Sequence, residues 1–411
     1  MITISQIANF YKTVQPEGME SLVYPVSPFL GLIKKWTEFY GSAKQLAWLV
    51  SRGGGASVSF STAQAAGTVP NYQKPSITRS RLYVVKQIGN EDIEASQSSV
   101  GALRDLLIEQ RDLAMQDLKY RAANIVLGNG TGAVARISSG SNVGTATITL
   151  SDITQIRNII VGNVYNTFTA GDSAVNTGDC TVTAIDEEAG TVTLGGNWSA
   201  ASSGVAAGDY IVPKSDYNAV PKGVFAWNPV TLPTVGGGDS FFGVDRGGSI
   251  GMAGCRYAPS SGTPLEVLLN SLHLHDRYGG KHDSAFLNPM DLGNVIKEAG
   301  NLQRINTNAV GSNGKQIASV SYQAVVINGP QGPVNLYSEP NIPRYQPLVT
   351  RVSAWELWSL NEAFRLLTRG TNGGELAIYN ADGIELRFGG YWNQVCRVPR
   401  DSMVVTLPTA A

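Results

Sequence analysis

The feature that most constrains the fold is a single long amphipathic helix predicted over residues 96–127. Its apolar positions recur close to every 3.6 residues, and the glycine-rich run from Gly128 to Gly130 ends the pattern. These positions are Val100, Leu103, Leu107, Ala114, Leu118, Ala122 and Ile125. At 1.5 Å per residue, the helix would be about 45–50 Å long. An apolar stripe of that length needs a sheet or another helix lying along it.

The residues before this helix predict an extended arm and a protruding loop. Prolines break residues 1–45 into short apolar pieces, with a possible helix over 31–40. Strands are predicted at 46–50, at 56–60, where serines alternate with apolar residues, and at 82–88. More than 20 residues separate the last two strands, which is too many for a tight hairpin.

Charge is distributed unevenly along this part of the chain. Up to residue 90 there are nine basic and three acidic side chains, whereas residues 91–121 carry seven acidic and four basic ones. A basic arm and loop next to an acidic helix predict complementary surfaces, on different copies of the chain or within one. Ordinary solvated charges are the alternative interpretation.

The remainder reads as a mixture of short strands and helices. A helix is predicted at 152–164, a small β-rich insertion at about 168–215 and loops at 216–262. Thr263-Pro264 and Asn288-Pro289 each begin a helix with a capping residue followed by proline. Short strands follow to the end of the chain, so the fold class is α+β.

Composition excludes several classes of protein. The chain has 411 residues, a formal net charge of −1 and 43% hydrophobic residues, which excludes a disordered chain and argues against a general nucleic-acid binder. Only 15% of residues are charged, below the roughly 25% of ordinary soluble domains. A large protein with so little charge is expected to cover much of its surface with partners or to be a glycine-rich β protein. No secretory signal or membrane-length apolar run is visible.

Few residues suggest chemistry. Cys180, Cys255 and Cys396 are widely spaced and are interpreted as reduced thiols. The three histidines, His273, His275 and His282, lie near Asp276 and Asp283, but an i, i+2 pair on a helix points to opposite sides. The sequence from Gly247 to Gly251 matches the G-x-S-x-G pattern of hydrolases without the strand and helix that this chemistry needs. We therefore expect no catalytic, cofactor-binding or metal-binding residues and no cofactor.

The order of elements and four short segments resemble the major capsid proteins of tailed bacteriophages, which have the Hong Kong 97-type fold. DSAFLNPMDLG, from Asp283, resembles the family's strand leading into an Asn-Pro-capped helix. NGPQGPVNLY, from Asn328, and the Pro340–Pro343 turn resemble its hairpin and turn, and Tyr391–Pro399 resembles its closing strand. The resemblance covers nearly the whole chain.

The resemblance implies a division of the chain into parts. Residues 1–45 would be the N-terminal arm and 46–90 the extended β-loop, or E-loop, that reaches over a neighbouring subunit. Residues 91–262 would be the peripheral domain, with a spine helix at 96–127 and the insertion at 168–215. Residues 263–380 would be the axial domain, and 381–411 would return to the peripheral domain. No scaffolding segment is visible before the arm, so if scaffolding is needed, a separate protein is expected to supply it.

The implied function is self-assembly as hexamers and pentamers into an icosahedral phage head, a virion shell enclosing double-stranded DNA without sequence specificity. Other implied partners are a portal protein and separate scaffolding and cement proteins, with assembly in the bacterial host cytoplasm and no membrane. Lys74, Arg79, Arg81 and Lys86 are the candidate intersubunit contacts, expected to meet acids on the adjacent copy. Two alternatives stay open: another β-rich virion protein, such as a tail or adhesin component, and a metal-dependent enzyme that uses the histidine cluster.

Overall fold

The computed structural model describes residues 27–96, 106–169, 171, 174–302, 325–367 and 375–408, and the chain is α+β, as predicted. The helices in these ranges are α1 (Pro28–Leu32), α2 (Phe60–Ala65), α3 (Asn90–Ser96), α4 (Leu106–Leu127), α5 (Trp198–Ala201), α6 (Val224–Trp227), α7 (Ile250–Ala253), α8 (Pro264–Arg277) and α9 (Pro289–Leu302). The strands of the first half are β1 (Lys34–Trp36), β2 (Ala43–Gln45), β3 (Trp48–Ser51), β4 (Asn71–Gln73), β5 (Ser76–Thr78), β6 (Ser80–Gly89), β7 (Ala135–Arg136), β8 (Thr147–Thr149), β9 (Val164–Phe168), β10 (Cys180–Asp186), β11 (Thr191–Leu194) and β12 (Tyr210–Pro213). Those of the second half are β13 (Ser240–Phe241), β14 (Val244–Asp245), β15 (Cys255–Tyr257), β16 (Ser284–Leu287), β17 (Val325–Gly329), β18 (Gly332–Ser338), β19 (Leu348–Thr350), β20 (Trp355–Ser359), β21 (Arg365–Leu366), β22 (Glu375–Ala377), β23 (Gly383–Cys396) and β24 (Ser402–Val405).

Helix α4 lies against a six-stranded sheet built around the long strand β23. The antiparallel partner β6 pairs with β23 over ten residues, and both strands contact α4. Ala114, Leu118, Ala122 and Ile125 of α4 are buried, as the 3.6-residue pattern predicts. Two of these four are alanines, so the helix axis can approach the sheet closely. Residues 97–105 of the predicted helix lie outside the described residues.

A second six-stranded sheet has the order β7-β12-β9-β10-β11-β8 and its own apolar core. Strands β10 and β11 form a hairpin that turns over residues 187–190. The sheet begins at Ala135, so strands that precede the predicted insertion at 168–215 belong to the same β-rich unit.

A third six-stranded sheet, with the order β15-β24-β19-β16-β18-β17, is contacted by α8 and α9. Both helices begin where the sequence predicts. Pro264 is the first residue of α8 after Thr263, and Pro289 is the first residue of α9. The buried face of α8 contains Leu265, Leu268 and Leu272.

Several predicted elements are wrong. The helix at 31–40 is instead α1 followed by β1, because β1 pairs in parallel with β20 and extends the sheet. The helix at 152–164 is a short 3₁₀-helix, Ile153–Asn158, and the chain then enters β9. The region 216–262 is not simply loop, since it contains α6, α7, a short hairpin and β15. The first 26 residues of the arm lie outside the described residues.

The strand predicted at 56–60 is also wrong. Val58 and Phe60 are exposed, and Phe60 begins α2. The alternation with serine covers only a few residues, and no facing strand lies there in the described chain to bury one side. A period of two predicts a half-buried strand only where such a partner exists.

Candidate assembly surface

A protruding loop, defined here as residues 43–78, has a two-stranded stem. Strand β2 pairs with β5 nearest the body of the protein, and β3 pairs with β4 farther along. Neither pair belongs to a larger sheet. The loop therefore leaves the body at the start of β6, where it is joined to the sheet that packs on α4.

The base of the loop is held firmly by buried side chains and backbone hydrogen bonds. Ile77 is fully buried in the main core. The backbone nitrogen of Ser76 donates to the carbonyl of Phe242 at 2.9 Å, and the side-chain amide of Asn393 donates to the carbonyl of Thr78 at 2.8 Å. These contacts fix the direction in which the loop leaves the body.

Trp48 adds a second anchor on the other strand of the stem. Its indole nitrogen donates to the carbonyl of Arg397 at 3.1 Å, and its ring meets the buried ring of Trp227 edge-on at 6.1 Å between centroids. Such aromatic pairs stabilise beyond their buried area. Both sides of the loop base are therefore tied to the body.

The tip of the loop depends on a run of three glycines. Gly53 has a φ of +83°, and a Cβ there would lie 2.3 Å from the carbonyl oxygen of Thr68. A Cβ on Gly54 would lie 2.7 Å from the carbonyl oxygen of Ala66. Only glycine allows the two sides of the tip to cross this closely.

The tip exposes apolar side chains and carries no charge. Val58 is fully exposed, and Phe60 and Val69 are 84% and 87% exposed. No residue of α2 is buried, and residues 53–73 include no Asp, Glu, Lys or Arg. Exposed apolar surface of this kind marks a site of association. The lack of charge at 53–73 is the sequence signal that could have identified this tip.

The four candidate cations do not form one cluster. Lys86 pairs with Asp117 of α4 at 2.9 Å within the same chain, and Arg79 donates to the carbonyl of Phe39 and stacks over its ring at 5.3 Å. Lys74 and Arg81 are exposed. The structure thus gives Lys86 and Arg79 partners within the chain, and the prediction of acids on an adjacent copy stays a prediction for all four.

The point where the arm enters the body is fixed by a buried carboxylate that sequence reasoning missed. Glu339 is fully buried and accepts hydrogen bonds from the Ser27 hydroxyl, from the backbone nitrogen of Phe29 at 3.2 Å, and from the backbone and side-chain nitrogens of Asn341, both at 3.1 Å. Burial raises the pKa of Glu339, and these hydrogen bonds oppose the rise. Because Ser27 and Phe29 lie about 310 residues from Glu339 along the chain, no local pattern predicts their contacts.

The histidine cluster divides into two parts. His275 and His282 are buried and face each other, whereas His273 is exposed on the other side of α8. There it lines an open groove of about 620 Å³ together with Leu269 and Glu298. Among the residues that the structure describes, no group of three or more His, Cys, Asp or Glu side chains is placed to hold a metal ion.

The other motifs have structural surroundings. The G-x-S-x-G match follows the two-residue strand β14 and a turn. Its Ser249 stands directly before the four-residue helix α7. All three cysteines are buried and unpaired. Burial raises the pKa of Cys180 to about 11 and that of Cys255 to about 12, so both thiols are protonated and unreactive at neutral pH. No helix in the described ranges is both long and apolar enough to span a bilayer.

Comparison with solved structures finds this architecture in a phage capsid chain. A chain of the cyanophage A-1(L) capsid asymmetric unit superposes with a TM-score of 0.61 at 10% identity, covering 97% of this chain and 98% of that one. The capsid of an empty GTA particle (0.49, 8% identity, 97% and 95% coverage) and a holo-encapsulin complex from Synechococcus elongatus PCC 7942 (0.45, 8%, 100% and 99%) are more distant. No protein-family model matches the sequence, and no curated protein matches it. The chain has the Hong Kong 97-type capsid fold, which confirms the predicted fold.

Proposed function

We propose that this protein is a major capsid protein that assembles as hexamers and pentamers into an icosahedral phage head around double-stranded DNA. The observation that carries the proposal is the match to a chain of the cyanophage A-1(L) capsid, which covers 97% of this chain and 98% of that one. In this proposal the protein resides in the virion, is made in the host cytoplasm, and has a portal protein and separate scaffolding and cement proteins as partners.

The protruding loop supports this proposal physically. Its base is rigidly held, while its apolar tip has little of its own chain to pack against. Each copy would bury its tip on a neighbour and receive a tip from another neighbour. This is a heterologous contact, which closes into rings when the rotation between copies is suitable. Many such contacts then add together in a shell.

Low overall charge also fits close packing between copies. Only 15% of residues are charged, and the net charge of −1 produces little repulsion between subunits. DNA would be enclosed without being read, since neither the composition nor the aromatic residues indicate base recognition.

The test is to express the full chain and examine it by negative-stain electron microscopy, with light scattering on the same sample. Closed shells, or discrete pentamers and hexamers, are expected. Fibres, tubes or trimers would contradict the proposal and favour the tail or adhesin alternative. Metal analysis of the purified protein tests the enzyme alternative, and a stoichiometric bound metal would favour that class.

A further inference from the structure

A buried pair of histidines joins α8 to a distant turn of the chain. His275 lies in the last turn of α8, and His282 lies in the segment that leads from α8 to β16. Both are at least 93% buried. We propose that this pair is an acid-sensitive lock that holds the end of α8 against the turn Pro399–Asp401. The inference does not depend on the proposed capsid function.

When both rings are neutral, the hydrogen bonds allow one arrangement of protons. Nε2 of His275 lies 2.8 Å from the carbonyl oxygen of Arg400, which can only accept, so this nitrogen carries the hydrogen. Nδ1 of a neutral His275 is then an acceptor. It lies 3.2 Å from Nδ1 of His282, which must therefore donate. Both rings are neutral in this arrangement.

The next proton has no favourable position. Nε2 of His282 is the free lone pair, but it is buried and has no hydrogen-bond partner among the described residues. A proton there would create a buried cation with an unsatisfied N–H. A proton on Nδ1 of His275 would instead set two donors against each other and break the link between the rings.

The surroundings leave little room for the rings to move. A Cβ on Gly280 would lie 2.1 Å from Nε2 of His275, and one on Gly329, in β17, would lie 3.3 Å from Nε2 of His282. The rings therefore have little space to turn toward new partners when one of them is charged.

The charged groups that face the pair come from three neighbouring segments. Asp276 on α8, Asp283 before β16 and Asp401 in the turn all favour a protonated pair. Asp401 is itself paired with Arg351 and accepts from the backbone nitrogen of Lys281 at 3.0 Å, which reduces its effect on the histidines. Burial opposes protonation more strongly than these carboxylates favour it.

The pKa values then give the direction of the acid response. Burial lowers the pKa of His275, and burial together with His275 lowers that of His282 to about 4. An unfolded histidine has a pKa near 6.5. The unfolded chain therefore binds more protons between about pH 6.5 and 4, and the stability contributed by the lock, complete above pH 6.5, is lost as the pH falls through this window. From pH 7 to pH 5, His282 alone increases the unfolding equilibrium constant about 20-fold.

The chain has only three histidines, which makes a direct test possible in the unmodified protein. With isotope-labelled histidine, the full chain would be titrated by NMR from pH 7.5 to the acid unfolding point. The signal of exposed His273 serves as the internal reference. We expect the other two signals to remain those of neutral rings down to pH 5. Titration of either near pH 6.5 in the folded protein would overturn the proposal.

A matched pair of variants tests the consequence for folding. His282→Asn keeps a donor near the position of Nδ1 but cannot be protonated, and His273→Asn makes the same change at the exposed position. Denaturant unfolding at pH 7 and pH 5 should show that H282N loses about 20-fold of the acid response, while H273N keeps it. An acid response in H282N equal to that of the unmodified chain would refute the lock. If H282N does not fold, the NMR titration decides the question alone.

Discussion

The tip of the protruding loop gives the sharpest test of assembly, because it separates association from folding. Phe60→Ser removes a side chain that is 84% exposed and lies at the start of a helix with no buried residue. The folded subunit loses almost no buried apolar area, so its free energy of unfolding should change by less than about 0.5 kcal/mol.

The same change should weaken association strongly. Full burial of a phenylalanine on a neighbouring copy stabilises by about 1.5–3 kcal/mol. Since about five-sixths of the side chain is available to bury, the expected loss is about 1.3–2.5 kcal/mol per contact, or roughly a 10- to 60-fold weaker contact. In the proposed hexamer the contact would be repeated six times, which would multiply the effect on the critical concentration for assembly.

The assay compares the critical concentration for assembly, measured by light scattering and sedimentation, with the unfolding midpoint of the same sample. Tyr379→Ser is the matched control, because Tyr379 is another fully exposed aromatic residue in the turn between β22 and β23. Assembly of F60S at the concentration of the unmodified chain, with an unchanged unfolding midpoint, would refute burial of the loop tip on a neighbour.

Three further changes test other parts of the structure. Glu339→Gln replaces one carboxylate oxygen with an amide NH2 group, so donors such as the Ser27 hydroxyl and the Phe29 N–H would face another donor. The free energy of unfolding, measured by urea unfolding, should fall by about 1–3 kcal/mol. Gly223→Ala places a Cβ as near as 2.3 Å to carbonyl oxygens at the end of α4 and should cost about 1–3 kcal/mol in the same assay; unchanged stability would show that this contact is not tight. Arg81→Glu should slow assembly without destabilising the subunit, whereas Lys86→Glu should also lower subunit stability, by up to about 1 kcal/mol, because Lys86 pairs with Asp117 of its own chain. Thermal unfolding measures subunit stability and light scattering measures assembly in both variants. Equal stability losses in R81E and K86E would contradict the stabilising role of the Lys86–Asp117 pair.

The sequence could predict those parts of the fold that depend on a long local pattern. The apolar stripe of α4 and the proline-started helices α8 and α9 were predicted because each repeats its signal over several turns. The strand at 56–60 was wrong because an alternation of a few residues carries little information without a facing strand. The pairing of Lys86 with Asp117 of α4 could not be predicted from the sequence, because the two residues meet only when β6 packs on the helix. Proximity of the histidines was visible in the sequence, but their orientation depends on the carbonyl of Arg400, 125 residues away.

The base and the tip of the loop differ in charge, and this difference indicates which interactions would hold two copies together. The 21 residues of 53–73 are uncharged, whereas Lys74 and Arg79 lie on the segment that returns from the tip to the body, and Arg79 is used within the chain. Exposed ion pairs contribute at most about 1 kcal/mol each and are screened by salt, whereas burial of Val58, Phe60 and Val69 contributes several kcal/mol and is not. Apolar burial should therefore dominate the strength of the contact between copies. The exposed Lys74 and Arg81 would then influence the rate and direction of approach more than the final affinity.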